Sequence, residues 1–381
     1  LATKVTTIHL VYPHQPRISC PDAIGHQLAK RLAQRCMVRL YDWDEIRRIR
    51  PGKDDVLIGH PHPAPWTCFR WSARQPGWRR VLILSPYNHG DPWQVSFLDA
   101  LLPQCDLYLA ITGRYWFETI ENSPYAHWRP KMIQIDLAVD RHDFPILKRR
   151  FNPPGKRRFV YIGHTGWTKN TSYLSAIAQA APDCPIAWIG RSKTPVAYLE
   201  PLGFQNFATE TGKSTVAAHD FMLTVGRADA NPTTVLEAMA WGLIPVCTPQ
   251  SGYVSYPSIV NVPLDDPEGA AIVLRRLQYL PDTELFQLQA ANWRLLDEHF
   301  HWDRFASQVI DAIESTDSPA CGFVTAEHRR RLLRLAMRSP MAYWRPQNFV
   351  RWLGRNIRLH YRQYRTQPDI RDKTGGDTLH E

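Results

Sequence analysis

The chain has 381 residues, 44% of them apolar and 22% charged, with a formal net charge of +10. That length and composition supply two domains with buried cores and exclude a disordered or fibrous chain. Seven cysteines, odd in number, widely spaced and without a C-x-x-C pair, argue against a disulfide framework and a zinc site and for the reducing cytoplasm.

Thr6, Thr7 and His9 interrupt the apolar stretch that a signal peptide would need, and no apolar run approaches the length of a membrane span. Many of the 31 prolines, such as Pro61, Pro63, Pro65, Pro86 and Pro92, fall at expected strand ends and loops, where they act as punctuation. Between His328 and Pro368 there are eleven arginines and no Asp or Glu. The rest of the chain is near neutral, so the pattern is a globular body with a basic tail.

Val5–Tyr12 reads as a strand, followed by a loop through Pro16 and Pro21 and a helix carrying Ile24, Leu28, Leu32 and Cys36. Val38–Tyr41 is the next strand, which completes a right-handed βαβ unit. Its loop holds no G-x-G-x-x-G, so a dinucleotide site lacks its main support. Asp54–Gly59, Arg80–Ser85, Leu107–Thr112 and Lys131–Asp136 follow as strands. The first two of these end in histidine-bearing loops, with His60 and His62 in one and His89 in the other. Short apolar strands alternating with helical stretches predict a mostly parallel sheet covered on both faces. Ligands in such sheets bind beyond the strand C-termini.

Lys148–Arg158 (KRRFNPPGKRR) is basic and rich in Pro and Gly, a linker composition that places a domain boundary near residue 150. The pattern then restarts. Strands are expected at Phe159–Gly163, Ile186–Gly190, Phe221–Val225 and Ile259–Val262, and helices at Asn170–Ala181, Glu268–Leu280, Thr283–His299 and Trp302–Ser315. The expected units are residues 1–150, residues 151–315 and a tail over 316–381.

Asp229–Thr248 (DANPTTVLEAMAWGLIPVCT) is the most informative stretch. Asn231 and Pro232 break the preceding structure, and Thr233 or Thr234 is expected to cap a helix that ends at Gly242. Ile244–Thr248 is a short buried strand. Asp229 precedes the turn and Glu237 lies in the helix, with exposed backbone N–H groups and a partial positive charge between them. Such a site suits a ligand that combines phosphates with sugar hydroxyls.

This stretch resembles the E-x-x-x-x-x-x-x-E signature of retaining, nucleotide-sugar-dependent glycosyltransferases of family 4 and their relatives, with Asp229 in place of the first Glu. GHTGWTKN (Gly163–Asn170) is similar to the family's strand-G-R-x-x-x-x-K segment, with Lys169 six positions after Gly163 and His164 where the Arg usually stands. IDLAVDRHDF (Ile135–Phe144) resembles the N-G-V-D-x-x-x-F segment that closes the first domain, with Ala138 for Gly. WDRFASQVIDAI (Trp302–Ile313) resembles the closing helix. The resemblance spans roughly residues 1–315. It implies the GT-B fold, an α/β architecture of two Rossmann-like doubly wound domains facing a cleft. It implies an acceptor domain first and a donor domain second.

It also implies roles. Asp229 would face the donor sugar and Glu237 the ribose hydroxyls. Lys169, His164 and Gly163 would hold the diphosphate, with Arg191 in IGRS as a substitute base for the missing Arg. Thr233 and Thr234 would face the phosphates, and His89 would contact the donor or assist at the acceptor. A nucleotide-diphosphate sugar would be the donor substrate, with no cofactor and no catalytic metal. D-W-D (Asp42–Asp44) reads as a strand-edge sequence rather than a metal motif, and TGKST (Thr211–Thr215) lacks the first glycine of a phosphate loop.

The tail interleaves Arg with Leu, Trp, Phe and Tyr, and Phe349–Tyr364 fits an amphipathic helix. Three readings follow: an anionic membrane surface reached through residues 328–365, which a membrane-borne glycan or lipid-linked acceptor would favour, a helix packed on the first domain, and nucleic acid as the weakest. The rivals to an active enzyme are a catalytically weakened GT-B binding or scaffold protein, favoured by Asp229 and His164, and a Rossmann-like sugar-nucleotide epimerase.

Overall fold

A computed structural model describes residues 7–12, 20–42, 45, 49–52, 54–60, 78–91, 98–99, 101–191 and 195–315, with a few isolated positions between 326 and 350. Six parallel strands form the first sheet: β1 (Thr7–Val11), β2 (Met37–Tyr41), β3 (Asp55–Gly59), β4 (Trp78–Pro86), β5 (Leu107–Ile111) and β6 (Met132–Ile135), in the order β2-β1-β3-β4-β5-β6. A second parallel sheet holds β7 (Phe159–Ile162), β8 (Ile186–Ile189), β9 (Glu200–Gly203), β10 (Phe221–Thr224), β11 (Ile244–Cys247) and β12 (Val260–Asn261), in the order β12-β11-β10-β7-β8-β9.

The central strands β3, β5, β7 and β10 are buried along their whole length. Their sequences are near-continuous apolar runs, as a sheet covered on both faces requires. In each sheet the order reverses beside the first strand, between β1 and β3 and between β7 and β10. These switch points open a crevice beyond the strand C-termini.

Helices α1 (Cys20–Leu32), α2 (Gly113–Thr119), α3 (Thr171–Ala180), α4 (Glu210–Ala217), α5 (Thr233–Trp241), α6 (Pro267–Gln278), α7 (Asp282–Glu298) and α8 (Trp302–Glu314) lie along the chain. Three elements have no counterpart in the sequence reading: α2, β9 and α4. The TGKST segment is helical, in α4, with the Thr209 hydroxyl capping the Gly212 N–H, so its backbone is not free to cradle phosphate.

Two expectations are corrected. Neither Thr233 nor Thr234 caps α5; Pro232 holds the cap position in an extended conformation, without a side-chain cap bond, and Thr233 is the first helical residue. The Pro232 carbonyl accepts from the Val235 N–H and the Tyr253 hydroxyl. The basic linker is not a solvated tether. Lys148 is 3% exposed and paired with Asp220 at 2.9 Å, and the buried Arg157 pairs with Asp282 at 2.5 Å. Burying these charges is tolerable only because each finds a carboxylate, and the result straps the connection onto the second sheet.

Helix α8 returns to the first sheet. Its buried face, Trp302, Phe305, Ala306, Val309, Ala312 and Ile313, joins the core that α1 covers with Ile24, Leu28 and Leu32. Each large side chain buried there contributes about 1.5–3 kcal/mol. Arg80 donates to the Ala312 carbonyl at 2.7 Å, and Arg31 bridges Asp140 at 2.8 Å and Asp303 at 2.6 Å.

Among the described residues no helix is long and apolar enough to cross a membrane. The amphipathic reading of Phe349–Tyr364, the Trp43 and Asp44 positions and His62 lie outside the described residues, apart from Val350. Within the tail, Arg331 reaches Asp99 at 2.6 Å, beside the Trp128 indole N–H that donates to the same carboxylate.

Candidate functional site

Two loops meet at the second sheet's switch point. One leaves β7 through Gly163 and carries residues 164–170; the other leaves β10 and carries residues 225–232. They are laced together by their backbones, since the Arg227 N–H donates to the Thr168 carbonyl at 3.0 Å. Thr248 fixes the second loop from below through its hydroxyl, which donates to the Gly226 carbonyl at 2.8 Å.

At the centre, Lys169 Nζ meets Asp229 Oδ2 at 2.5 Å. The sequence places these residues sixty positions apart, and the parallel pairing of β7 with β10 makes them neighbours. Arg227 stands beside them. Its guanidinium donates to Asn170 Oδ1 at 2.7 Å and lies 3.6 Å from Asp265. Asn170 is buried in the left-handed region at φ 55°. Two cations, Lys169 and Arg227, therefore lie on the two loops, each beside a carboxylate.

Glu237 lies one helical turn beyond Thr233 on α5 and is half-buried. Burial raises its carboxyl above the ordinary value, and a hydrogen bond with the Thr233 hydroxyl works against that rise. A carboxylate so placed is a strong acceptor for ligand hydroxyls. Thr234 is also half-buried beside the helix start.

His164 is exposed, and its Nδ1 accepts the Gly166 N–H at 2.9 Å. Partial desolvation of the ring by the surrounding loop, then the nearby Lys169 charge, lowers its pKa, with Asp229 opposing. The ring is therefore neutral at pH 7 and supplies no fixed charge. The Arg191 guanidinium lies over the Phe204 ring at 3.9 Å. The base beside the Lys169–Asp229 pair is Arg227, which the sequence reading missed although it stands two residues before Asp229.

Gly163 and Gly190 explain how the strands end. The Trp188 indole N–H donates to the Gly163 carbonyl at 2.9 Å, and a Cβ on Gly190 would overlap that carbonyl oxygen. Only glycine allows so close an approach.

The first domain faces this site with His89. Its ring nitrogens lie 3.3 Å from the Tyr87 hydroxyl and 3.4 Å from the Thr119 hydroxyl, and its ring meets Trp116 edge-on at 4.7 Å. Burial lowers its pKa, so it is neutral at pH 7. The adjacent Gly90 packs against Ala228 and the Arg227 carbonyl, which sets the His89 loop across from the Asp229 loop. His60 is farther back, stacked on Tyr12.

No family model matches the sequence, and no curated protein matches it. Solved structures do match. Sucrose-phosphate synthase from Thermosynechococcus elongatus is 12% identical, with 81% of this chain and 98% of that chain covered and a TM-score of 0.59. The lipopolysaccharide outer core galactosyltransferase WaaB, in its apo form, is 12% identical, with 81% and 99% covered and a TM-score of 0.58. The Anabaena protein HepE, in complex with UDP and glucose, is 11% identical, with 81% and 99% covered and a TM-score of 0.56. At such identities the likeness is one of fold: two Rossmann-like domains in the GT-B arrangement, as the sequence resemblance implied.

Proposed function

We propose that the protein is a retaining glycosyltransferase that moves a sugar from a nucleotide-diphosphate sugar to an acceptor. The observation that carries this reading is the Lys169–Asp229 pair at 2.5 Å, set between two loops at a switch point with Arg227 beside it and Glu237 on the following helix. The diphosphate lies against Lys169, Arg227 and the backbone N–H groups at the start of α5, including those of Thr233 and Thr234, where the helix dipole favours an anion. Glu237 accepts hydrogen bonds from the ribose hydroxyls.

In the reaction the bond between the sugar's anomeric carbon and the β-phosphate oxygen breaks. The acceptor hydroxyl attacks from the face the phosphate leaves, and its proton passes to the departing phosphate oxygen. Lys169 and Arg227 stabilise the charge that builds on the diphosphate. Once Lys169 has turned to the phosphates, Asp229 faces the developing oxocarbenium charge. The neutral His89 lines the acceptor side. No cofactor enters this scheme, and neither a protein nucleophile nor a catalytic metal is assigned a step. The basic, aromatic segment 328–365 suits an acceptor held at an anionic membrane surface.

The test is a panel of UDP-, GDP- and ADP-sugars scored by thermal stabilisation and by donor hydrolysis, in wild type and Glu237→Ala. At least one donor should raise the melting temperature of the wild type, because a ligand that binds only the folded state stabilises it. A panel with no stabilising member, or equal activity in the two proteins, would sink the reading. One observation favours a second reading, a nucleotide-sugar binding module with little turnover: His164 is neutral and turned onto the Gly166 N–H. Donor binding without hydrolysis or transfer would support it.

A further inference from the structure

We propose that Asn231 is a positioning residue that ties the placement of Asp229 to the arrangement of the two domains. This rests on the donor-site reading above.

Asn231 follows Asp229 by two residues and is wholly buried. It holds φ at 54°, in the left-handed region, immediately before Pro232. Residues before proline favour an extended backbone, and glycine would enter the left-handed region more easily. An asparagine there is explained by what its side chain does. Its Oδ1 accepts the Leu137 N–H at 2.5 Å, and its Nδ2 lies 3.4 Å from Asp136 Oδ1. Both partners belong to the segment that leaves the first sheet after β6.

Asp136 is itself shared. Its second oxygen lies 3.1 Å from His299 Nε2, which is 3.0 Å from the Tyr256 hydroxyl. His299 lies where the chain crosses back toward α8, and the neighbouring Phe300 carbonyl accepts the Val139 N–H at 2.9 Å. Three stretches thus meet at one largely buried polar node, open to solvent at His299: the outgoing crossing at 136–137, the returning crossing at 299–300 and the donor loop at 231. The loop is gripped from its other side as well. The Asn231 N–H donates to the Ser251 carbonyl at 3.1 Å, and the next residue, Gly252, accepts the Arg114 N–H of the first domain at 3.1 Å.

A shift of one domain against the other therefore pulls on Asn231, and through two peptide units on Asp229. Lys169 is carried by the other loop, after β7, and Glu237 by the body of α5, whose backbone is held by its own helical bonds, so neither contact depends on the Asn231 amide. Loss of the Asn231 amide should leave donor binding intact and slow the chemical step.

Two variants test this. Asn231→Gly keeps the left-handed backbone and deletes the amide. Asn231→Asp keeps the acceptor for Leu137 and sets a carboxylate against Asp136. For both, the dissociation constant for UDP, GDP or ADP (whichever binds wild type) and the kcat and KM for donor hydrolysis are measured, with small-angle scattering for domain separation. The expected result is nucleotide affinity within about threefold of wild type, kcat at least about tenfold lower in Asn231→Gly, and a wider domain separation in Asn231→Asp, since like charges in contact repel. A kcat of Asn231→Gly within threefold of wild type overturns the proposal, as does unchanged scattering from Asn231→Asp. Absence of nucleotide binding by wild type refutes the donor site instead, and scattering still decides whether the node sets the domain arrangement.

Discussion

Lys169 and Asp229 touch each other, yet the proposed chemistry assigns them to different parts of one ligand. Removing either should therefore cost similar stability and move nucleotide affinity in opposite directions. The side chains are 17% and 18% exposed. Breaking such a pair falls between the value for an exposed pair, about 0.2–1 kcal/mol, and that for a buried pair, about 3–5 kcal/mol. With solvent screening at this exposure, about 2 kcal/mol is the expected loss for Lys169→Met and for Asp229→Asn. Binding separates them. Lys169→Met removes a charge-assisted bond to phosphate worth about 1.5–3 kcal/mol, so nucleotide diphosphate affinity should fall about 10- to 150-fold. Asp229→Asn removes a negative charge beside the phosphates and frees Lys169. Even after screening, that repulsion is worth about 1 kcal/mol, so affinity should hold or tighten about fivefold while turnover collapses. Calorimetric titration with UDP, GDP and ADP reads the affinities, and thermal melting reads the stabilities. If Asp229→Asn loses nucleotide affinity in step with Lys169→Met, the two loops do not frame an anion and the donor geometry is wrong.

Glu237→Ala should weaken nucleotide binding at least about tenfold, the worth of hydrogen bonds to a charged acceptor, and should spare binding of inorganic pyrophosphate; calorimetry with both ligands checks the difference. Gly190→Ala should destabilise the fold by about 3 kcal/mol or more, because its new Cβ meets the Gly163 backbone carbonyl rather than a yielding side chain; a denaturant melt with unchanged midpoint would refute that. Stability should also fall on acidification. His9 and His219 are each 1% exposed, and burial lowers both pKa values. The unfolded chain then takes up their protons first as pH drops below about 6.5, at a cost of up to about 1.4 kcal/mol per group per pH unit until the folded pKa is reached. Melting temperatures at pH 7.5 and 5.5 test the sign, and equal values would show that these rings are not held neutral by burial.

The sheets were legible because parallel strands buried on both faces write themselves as apolar runs: DVLIG, LYLAI, FVYI and FMLT are all strands. What escaped the reading lacks such a run. Strand β9 is EPLG, an edge strand with exposed residues. Helix α2 starts at Gly113 in the left-handed region, pressed against Gly252, and its first turn carries no capping bond to announce it. Of the candidate site, Lys169, Asp229 and Glu237 were named from the resemblance to the family's two signature segments, and the structure brings Lys169 and Asp229 into contact. Arg191 was chosen for its type, and its guanidinium lies over the Phe204 ring. Arg227 and Asn231 act through contacts across 57 and 94 positions, which no local periodicity encodes.

Helix α8 belongs to the second half of the chain by order and to the first sheet by contact. Expression of residues 1–150 alone would leave the apolar side of α1 bare, because Phe305 and Val309 would be missing from it. A protease cut in the 149–156 stretch would leave two fragments, and the second would still carry the lid of the first. The halves would behave as interlocking pieces, each completing its partner's interior, rather than as beads on a string.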